Sequence, residues 1–122
     1  MFTAPGRVLL QSTPAGTDDH EPMAANHEIA RAAGLEVVDF PLLTHVEVAG
    51  ERSVHSYLNS YVGDRFVIVP LAGQPEPDEE ALARLRDAYA GMEVVGVPGA
   101  VHAYGGGGPH CITQQVPALA TP

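Results

Sequence analysis

The sequence has 122 residues, with 6 Lys+Arg, 15 Asp+Glu, 6 His, a single Cys and a formal net charge of -9. An acidic surface repels phosphate, so we expect no binding to nucleic acid or to anionic membranes. One cysteine excludes an internal disulfide, and no apolar run approaches the ~20 residues of a membrane span. With 45% hydrophobic and 17% charged residues, the chain is expected to fold as a single unit over residues 1–122.

The first half of the chain has the pattern of a strand, a helix and a second strand. The apolar run Val8–Leu10 predicts the opening strand, and the stretch Met23–Ala33 predicts the helix. Gly34 is placed to end that helix. The run Leu35–Pro41 then predicts the closing strand.

The second half repeats this order with an offset of about 57 residues. Val67–Val69 predicts the opening strand, Asp78–Tyr89 the helix and Met92–Pro98 the closing strand. Asp78 is expected to cap the helix, and Gly91 is placed to end it. Glu, Val, Val and Pro recur at matching positions of the two closing strands. Two interpretations stay open here: a structural repeat, or two generic strand–helix–strand units.

Between these segments, Tyr57–Val62 and Arg65–Val69 are strand-like, and Gly63-Asp64 suits a two-residue hairpin loop. Together the patterns predict a mixed α/β fold of two ββαβ modules, approximately 7–56 and 57–118. Two modules leave strand edges without neighbours, so we expect the chain to associate with a second copy or with further modules. Three stretches are expected to be the least ordered: Pro14–Asp19, Leu42–Ser53 and the tail after Gln115.

The segment Tyr104–Gln115 is the richest in chemistry, because the single cysteine, Cys111, follows a run of glycines. Glycines allow a close approach of the backbone, and a thiol becomes nucleophilic where its thiolate is favoured. The alternative is a buried, inert cysteine beside a flexible glycine loop. No Lys-Ser/Thr follows the glycines, so a phosphate-binding loop is excluded. The Cys and His spacing does not suit a metal site.

His110 directly precedes Cys111 and has two interpretations. It is a candidate acid/base group, yet adjacent side chains point to opposite faces of an extended segment. The alternative is a structural histidine that packs or hydrogen-bonds nearby.

The run Gly106–Gln115 closely resembles the C-terminal signature of agmatine deiminases, and it is similar to that of the related bacterial peptidyl-arginine deiminases. Pro109 stands where many members carry an aliphatic residue. The resemblance extends over most of the chain, roughly Phe2 to Ala118, through four shorter stretches: Phe2–Leu10, Asn26–Glu28, Tyr57–Asn59 and Val67–Pro70.

The resemblance implies the α/β propeller of guanidine-modifying enzymes, which has five ββαβ modules, of which this chain would hold about two. It implies hydrolysis of agmatine to N-carbamoylputrescine and ammonia in putrescine biosynthesis, through an amidino-cysteine intermediate, with no metal and no organic cofactor. It assigns Cys111 as the nucleophile. The loop residues carried over with it are Gly106, Gly107, Gly108 and His110.

The sequence departs from the family in one respect, because the family's His-x-Asp-like element and carboxylates lie upstream of the matching region. The chain is therefore expected to need missing N-terminal modules for activity. Two other functions stay open: a catalytically incomplete fragment or interaction module, and a deiminase of peptide-bound arginine. A catalytic thiol must stay reduced, so a cytoplasmic location is expected.

Overall fold

The computed structural model describes residues 1–41 and 44–116. Within these residues there are both strands and helices, and a short 3-10 helix, Pro109–Ile112, follows the last helix. The elements are, in chain order, β1 (Phe2–Ala4), β2 (Arg7–Gln11), α1 (His20–Ala32), β3 (Glu36–Phe40), β4 (Thr44–Val48), β5 (Glu51–His55), β6 (Tyr61–Val62), β7 (Phe66–Leu71), α2 (Pro75–Ala88), β8 (Glu93–Pro98) and α3 (Ala100–Tyr104).

Two three-stranded sheets share one topology. In the order β1-β2-β3, the first pair is antiparallel and the second is parallel, with α1 as the crossover. The order β6-β7-β8 has the same two pairings, with α2 as the crossover. We call these the first and the second unit. The chain is therefore α/β, as the sequence predicts, and each unit follows the order ββαβ.

Both long helices extend further towards the N-terminus than the sequence pattern indicates. α1 begins at His20 rather than Met23, and α2 begins at Pro75, with Gln74 as its N-cap. A proline suits the first helical position because its missing N–H would have no partner there. The prediction that Asp78 caps α2 is therefore wrong. Asp78 lies inside the first turn, and its carboxylate is buried.

The hairpin before α2 is shorter than predicted. Of the stretch Tyr57–Val62, β6 contains only the last two residues, and Tyr57–Ser60 forms a turn instead. The Asn59 N–H donates to the Ser56 carbonyl, and the Ser60 hydroxyl donates to the Tyr57 carbonyl at 2.6 Å. The turn forms because the Tyr57 ring enters the core, where it is fully buried.

The prediction of poor order for Leu42–Ser53 is wrong over residues 44–53, whereas Leu42 and Leu43 lie outside the described residues. β4 and β5 form a regular antiparallel hairpin. Its turn residues Ala49 and Gly50 have φ values of 53° and 82°, which is the backbone twist that a two-residue hairpin requires.

The other two stretches expected to be poorly ordered differ in outcome. Pro14–Asp19 forms turns, in which the Thr17 N–H and hydroxyl both donate to the Pro14 carbonyl. Most of the tail after Gln115 falls on residues 117–122, which lie outside the described residues.

The hydrophobic core lies mainly against the second unit. Leu9 and Phe40 join it from the first sheet and Val46 from β4. The remaining buried members come from the turn, the second unit and α3: Tyr57, Val67, Val69, Ala72, Ala81, Leu85, Tyr89 and Ala103. Among residues 1–41 and 44–116, no helix has both the length and the apolar character needed to cross a membrane.

Candidate active site

Cys111 lies in the 3-10 helix that follows α3. α3 packs against the hairpin β4–β5, and a glycine loop connects it to Pro109. Gly106 turns the chain with a φ of 79°, and its N–H donates to the Ala103 carbonyl. The next amide, that of Gly107, donates to the His102 carbonyl. Cys111 is exposed, so the interpretation of a buried cysteine is wrong.

Close contacts, rather than unusual backbone angles, require glycine at position 108 and leave little room for a side chain at Gly107. A Cβ atom on Gly108 would lie 2.9 Å from the side-chain Cγ of Asn59 and 2.9 Å from its carbonyl oxygen. A Cβ atom on Gly107 would lie 3.3 Å from Cβ and 3.5 Å from Sγ of Cys111. The glycines therefore let the loop lie directly against Asn59 and the thiol.

Asn59 is the residue that contacts the sulfur. Its side-chain Nδ2 lies 3.2 Å and its Oδ1 3.3 Å from Sγ of Cys111. Its backbone carbonyl accepts a hydrogen bond from the His110 N–H at 3.2 Å. The sequence places Asn59 in a predicted strand, with nothing in its spacing to indicate the contact. Asn59 and Cys111 are 52 positions apart in the sequence.

The turn that carries Asn59 is fixed to the second unit by a buried carboxylate. The Tyr57 hydroxyl donates to Oδ1 of Asp78 at 2.9 Å. The same carboxylate accepts three backbone N–H groups from the residues before α2, Ala72, Gly73 and Gln74. Burial of the phenol, together with this carboxylate, raises the pKa of Tyr57 well above its ordinary value. The neutral phenol therefore stays the hydrogen-bond donor.

Cys111 opens into a cleft of about 600 Å³. His110 lines the same cleft. The argument that adjacent side chains point to opposite faces assumed an extended segment, whereas these residues form a 3-10 helix. The remaining lining residues are Met1, Phe2, Ser56, Leu58, Asn59, Ser60, Val62 and Gln115.

The cleft is poor in charge for a site that would bind a cation. Within the part of the chain that the structure describes, no Asp or Glu lines it, and His110 is its one titratable side chain besides the thiol. The same residues contain no group of three or more His, Cys, Asp or Glu side chains that could hold a metal ion. Within the described residues, the cleft thus presents an exposed thiol without carboxylates that would orient a guanidinium.

Comparison with known proteins identifies the family. The chain matches the sequence model of the Porphyromonas-type peptidyl-arginine deiminase family over residues 1–117. It is 39% identical over 89 residues to a Latilactobacillus sakei protein named as a candidate agmatine deiminase; the alignment covers 73% of this chain and 23% of that protein. It is 48% identical over 68 residues to a protein of the same name from Listeria monocytogenes serotype 4b, covering 56% of this chain and 18% of the relative.

A solved structure agrees with these relatives. The agmatine deiminase of Enterococcus faecalis superimposes with a TM-score of 0.78 and 25% identity, over 93% of this chain and 38% of that one. The chain belongs to the Porphyromonas-type peptidyl-arginine deiminase family, and the resemblance seen in the sequence is confirmed. It spans less than a quarter of the length of the two curated relatives.

Proposed function

We propose that this chain carries the nucleophile of an enzyme that hydrolyses agmatine to N-carbamoylputrescine and ammonia, with Cys111 as that nucleophile. The observation that carries the proposal is the exposed thiol, held by Asn59 at the wall of a cleft of about 600 Å³. Family membership and the likeness to agmatine deiminases support agmatine as the substrate.

The proposed reaction has two covalent steps. The Cys111 thiolate attacks the guanidinium carbon, the C–S bond forms, one C–N bond breaks, and the released nitrogen takes up a proton and leaves as ammonia. Water then attacks the amidino-thioether. A C–O bond forms, the C–S bond breaks, and the sulfur recovers its electron pair while the ureido product departs. The sequence supports thiol chemistry that needs neither metal nor organic cofactor.

A guanidinium ion is a poor electrophile, so the reaction needs more than a thiol. Carboxylates must fix its plane through paired hydrogen bonds, and an acid/base group must protonate ammonia and activate water. We propose that further modules, or a second copy of the chain, supply these groups. In this arrangement the chain forms two of five ββαβ modules of an α/β propeller, the first containing β1–β3 and the second β6–β8. The bounds expected from the sequence, 7–56 and 57–118, leave β1 outside the first module. A reducing cytoplasm would keep the thiol active.

Hydrolysis of peptide-bound arginine is the second candidate, and the name of the matching family favours it. Both substrates present the same guanidinium group to Cys111, so the thiol does not discriminate between them. Parallel assays with agmatine and an arginine-containing peptide would separate the two candidates.

A chimera tests the nucleophile in a complete site. In it, this chain replaces the matching 38% of the Enterococcus faecalis agmatine deiminase. We expect ammonia release from agmatine, and a loss of at least about 1000-fold in kcat on Cys111→Ala, because no other group forms the covalent bond. Equal turnover by the two chimeras would refute the assignment. A folded chimera without turnover would favour the incomplete-fragment alternative.

Covalent capture tests the thiol in the chain itself. Cys111 is the only cysteine, so the intact mass after treatment with 2-chloroacetamidine reports on this thiol alone. We expect one adduct on the native chain and none on Cys111→Ala. Equal labelling of both proteins would contradict the role of the sulfur.

A further inference from the structure

The side chain of Asn59 faces the Cys111 sulfur with both of its polar atoms, Nδ2 at 3.2 Å and Oδ1 at 3.3 Å. An amide nitrogen donates hydrogen bonds, and an amide oxygen accepts them. A thiolate can only accept, whereas a neutral thiol can donate its S–H. The same amide therefore has a partner atom for the sulfur in either protonation state.

Asn59 is held in place by its surroundings, independently of the sulfur. Its N–H donates to the Ser56 carbonyl, and its own carbonyl accepts the His110 N–H. Its side chain lies against Gly108 so closely that a Cβ atom would not fit between them. The Tyr57–Asp78 hydrogen bond fixes the same turn to the second unit. The amide is thus positioned before any substrate is bound, which is the condition for effective stabilisation of charge.

The cleft offers the thiolate little other support from side chains. Among the described residues that line it, His110 is the one basic side chain and there is no Arg; the sequence contains no Lys. The α-amino group of Met1, which also lines the cleft, donates to the Leu9 carbonyl. A hydrogen bond to a charged group is stronger than one between neutral groups. Donation from Nδ2 therefore favours the thiolate over the thiol, and it favours the departing thiolate when the C–S bond breaks.

We propose that Asn59 is a catalytic partner of Cys111, which orients the sulfur and stabilises its thiolate form in the attack and release steps. The inference rests on the proposed function and deepens it by assigning a second residue to the same site. It also accounts for Gly108, because any larger residue there would displace the amide from the sulfur.

Alkylation of Cys111 by iodoacetamide tests this inference. The reagent is neutral, so its reaction requires no recognition of a guanidinium. Asn59→Asp keeps the shape of the side chain, removes the N–H donor and places a carboxylate beside the sulfur. The matched control is Asn26→Asp at the chain's other asparagine, which is exposed on α1 and makes the same change in net charge. Asn59→Ala removes both polar atoms without adding charge.

We expect Asn59→Asp to slow alkylation at pH 7.5 by at least about tenfold and to move the pH–rate profile to more alkaline pH, because a like charge disfavours the thiolate. Asn59→Ala is expected to slow it about three- to tenfold. Asn26→Asp should match the native chain in rate and profile. In concentrated denaturant, where the amide contact is lost, all four proteins should react at similar rates.

A native rate and profile for Asn59→Asp, or a native rate for Asn59→Ala, would overturn the inference. If circular dichroism shows Asn59→Asp to be unfolded, Asn59→Ala alone decides. Neither result would affect the dependence of agmatine hydrolysis on Cys111. Conversely, failure of the chimera to need Cys111 would refute the proposed function while leaving the amide–sulfur measurement intact.

Discussion

The first and second units have the same order of elements, yet their helices contribute differently to the core. Of the residues of α1, His27 alone is buried, whereas α2 buries Asp78, Ala81 and Leu85. α2 thus supplies Ala81 and Leu85 to the main hydrophobic cluster, and α1 contributes no residue to it within the described chain. The same local pattern therefore produces the same topology without producing the same packing.

The buried polar residue of α2 also makes more hydrogen bonds than that of α1. His27 contacts the Gln11 carbonyl at 3.1 Å and lies 3.5 Å from the exposed carboxylate of Asp39. Asp78 instead accepts four hydrogen bonds, three from backbone N–H groups and one from Tyr57. The turn that contacts Cys111 is thus attached to the better-packed unit, and the proposed role of Cys111 as nucleophile would require such precise placement.

The largest effect is expected from shortening a buried side chain of α2. Leu85 is 0% exposed, so Leu85→Ala should lower the free energy of unfolding by about 3 kcal/mol through lost burial and a residual cavity. Ile29 of α1 is 67% exposed, and Ile29→Ala should change the free energy of unfolding by less than about 0.5 kcal/mol. Urea unfolding of both variants measures the difference. Equal losses would show that the two helices pack equally, contrary to the structure.

A somewhat smaller loss of unfolding free energy is expected when the buried carboxylate of α2, Asp78, is removed. Asp78→Ala leaves three backbone N–H groups and the Tyr57 hydroxyl without their partner, which should cost about 2–3 kcal/mol of unfolding free energy. The Asp39 side chain is 60% exposed, and Asp39→Ala should cost less than about 1 kcal/mol. Thermal or urea unfolding provides the comparison. If Asp78→Ala left the free energy of unfolding unchanged, the turn at Tyr57 would be held by packing alone.

The smallest effect concerns Tyr89, whose hydroxyl donates to the Phe2 carbonyl and so connects α2 to the first sheet. Burial raises the pKa of Tyr89 from 10.0 to about 12. The unfolded chain therefore releases this proton first. The stabilisation is fully present below about pH 10 and is lost as the pH rises towards about 12.

At about pH 11 this loss should amount to roughly 1 kcal/mol for Tyr89. Unfolding free energies measured between pH 8 and pH 11 test it. Tyr89→Phe, which has no phenolic proton, should show a shallower decline over that range than the native chain, although Tyr57 still contributes. Identical slopes for the two proteins would exclude Tyr89 as a source of the alkaline loss.

The sequence by itself determined the elements whose signals are local. Hydrophobic periodicity indicates α1 and α2, apolar runs indicate β2, β3, β7 and β8, and Gly34 and Gly91 mark where the helices end. The segment Gly106–Gln115 indicates the family and places the candidate nucleophile. These features depend on neighbouring residues, so a single sequence suffices to find them.

Tertiary structure alone decided the remaining features. Asp78 has the residue type and position of a helix cap. Because its carboxylate is buried beside Tyr57, it instead accepts hydrogen bonds from the loop before α2. The sequence of Tyr57–Ser60 resembles a strand, but the segment forms a turn because the Tyr57 ring inserts into the core. The contact between Asn59 and Cys111 joins residues 52 positions apart. No local pattern encodes such a contact, because it forms only after two sheets and a glycine loop have packed together.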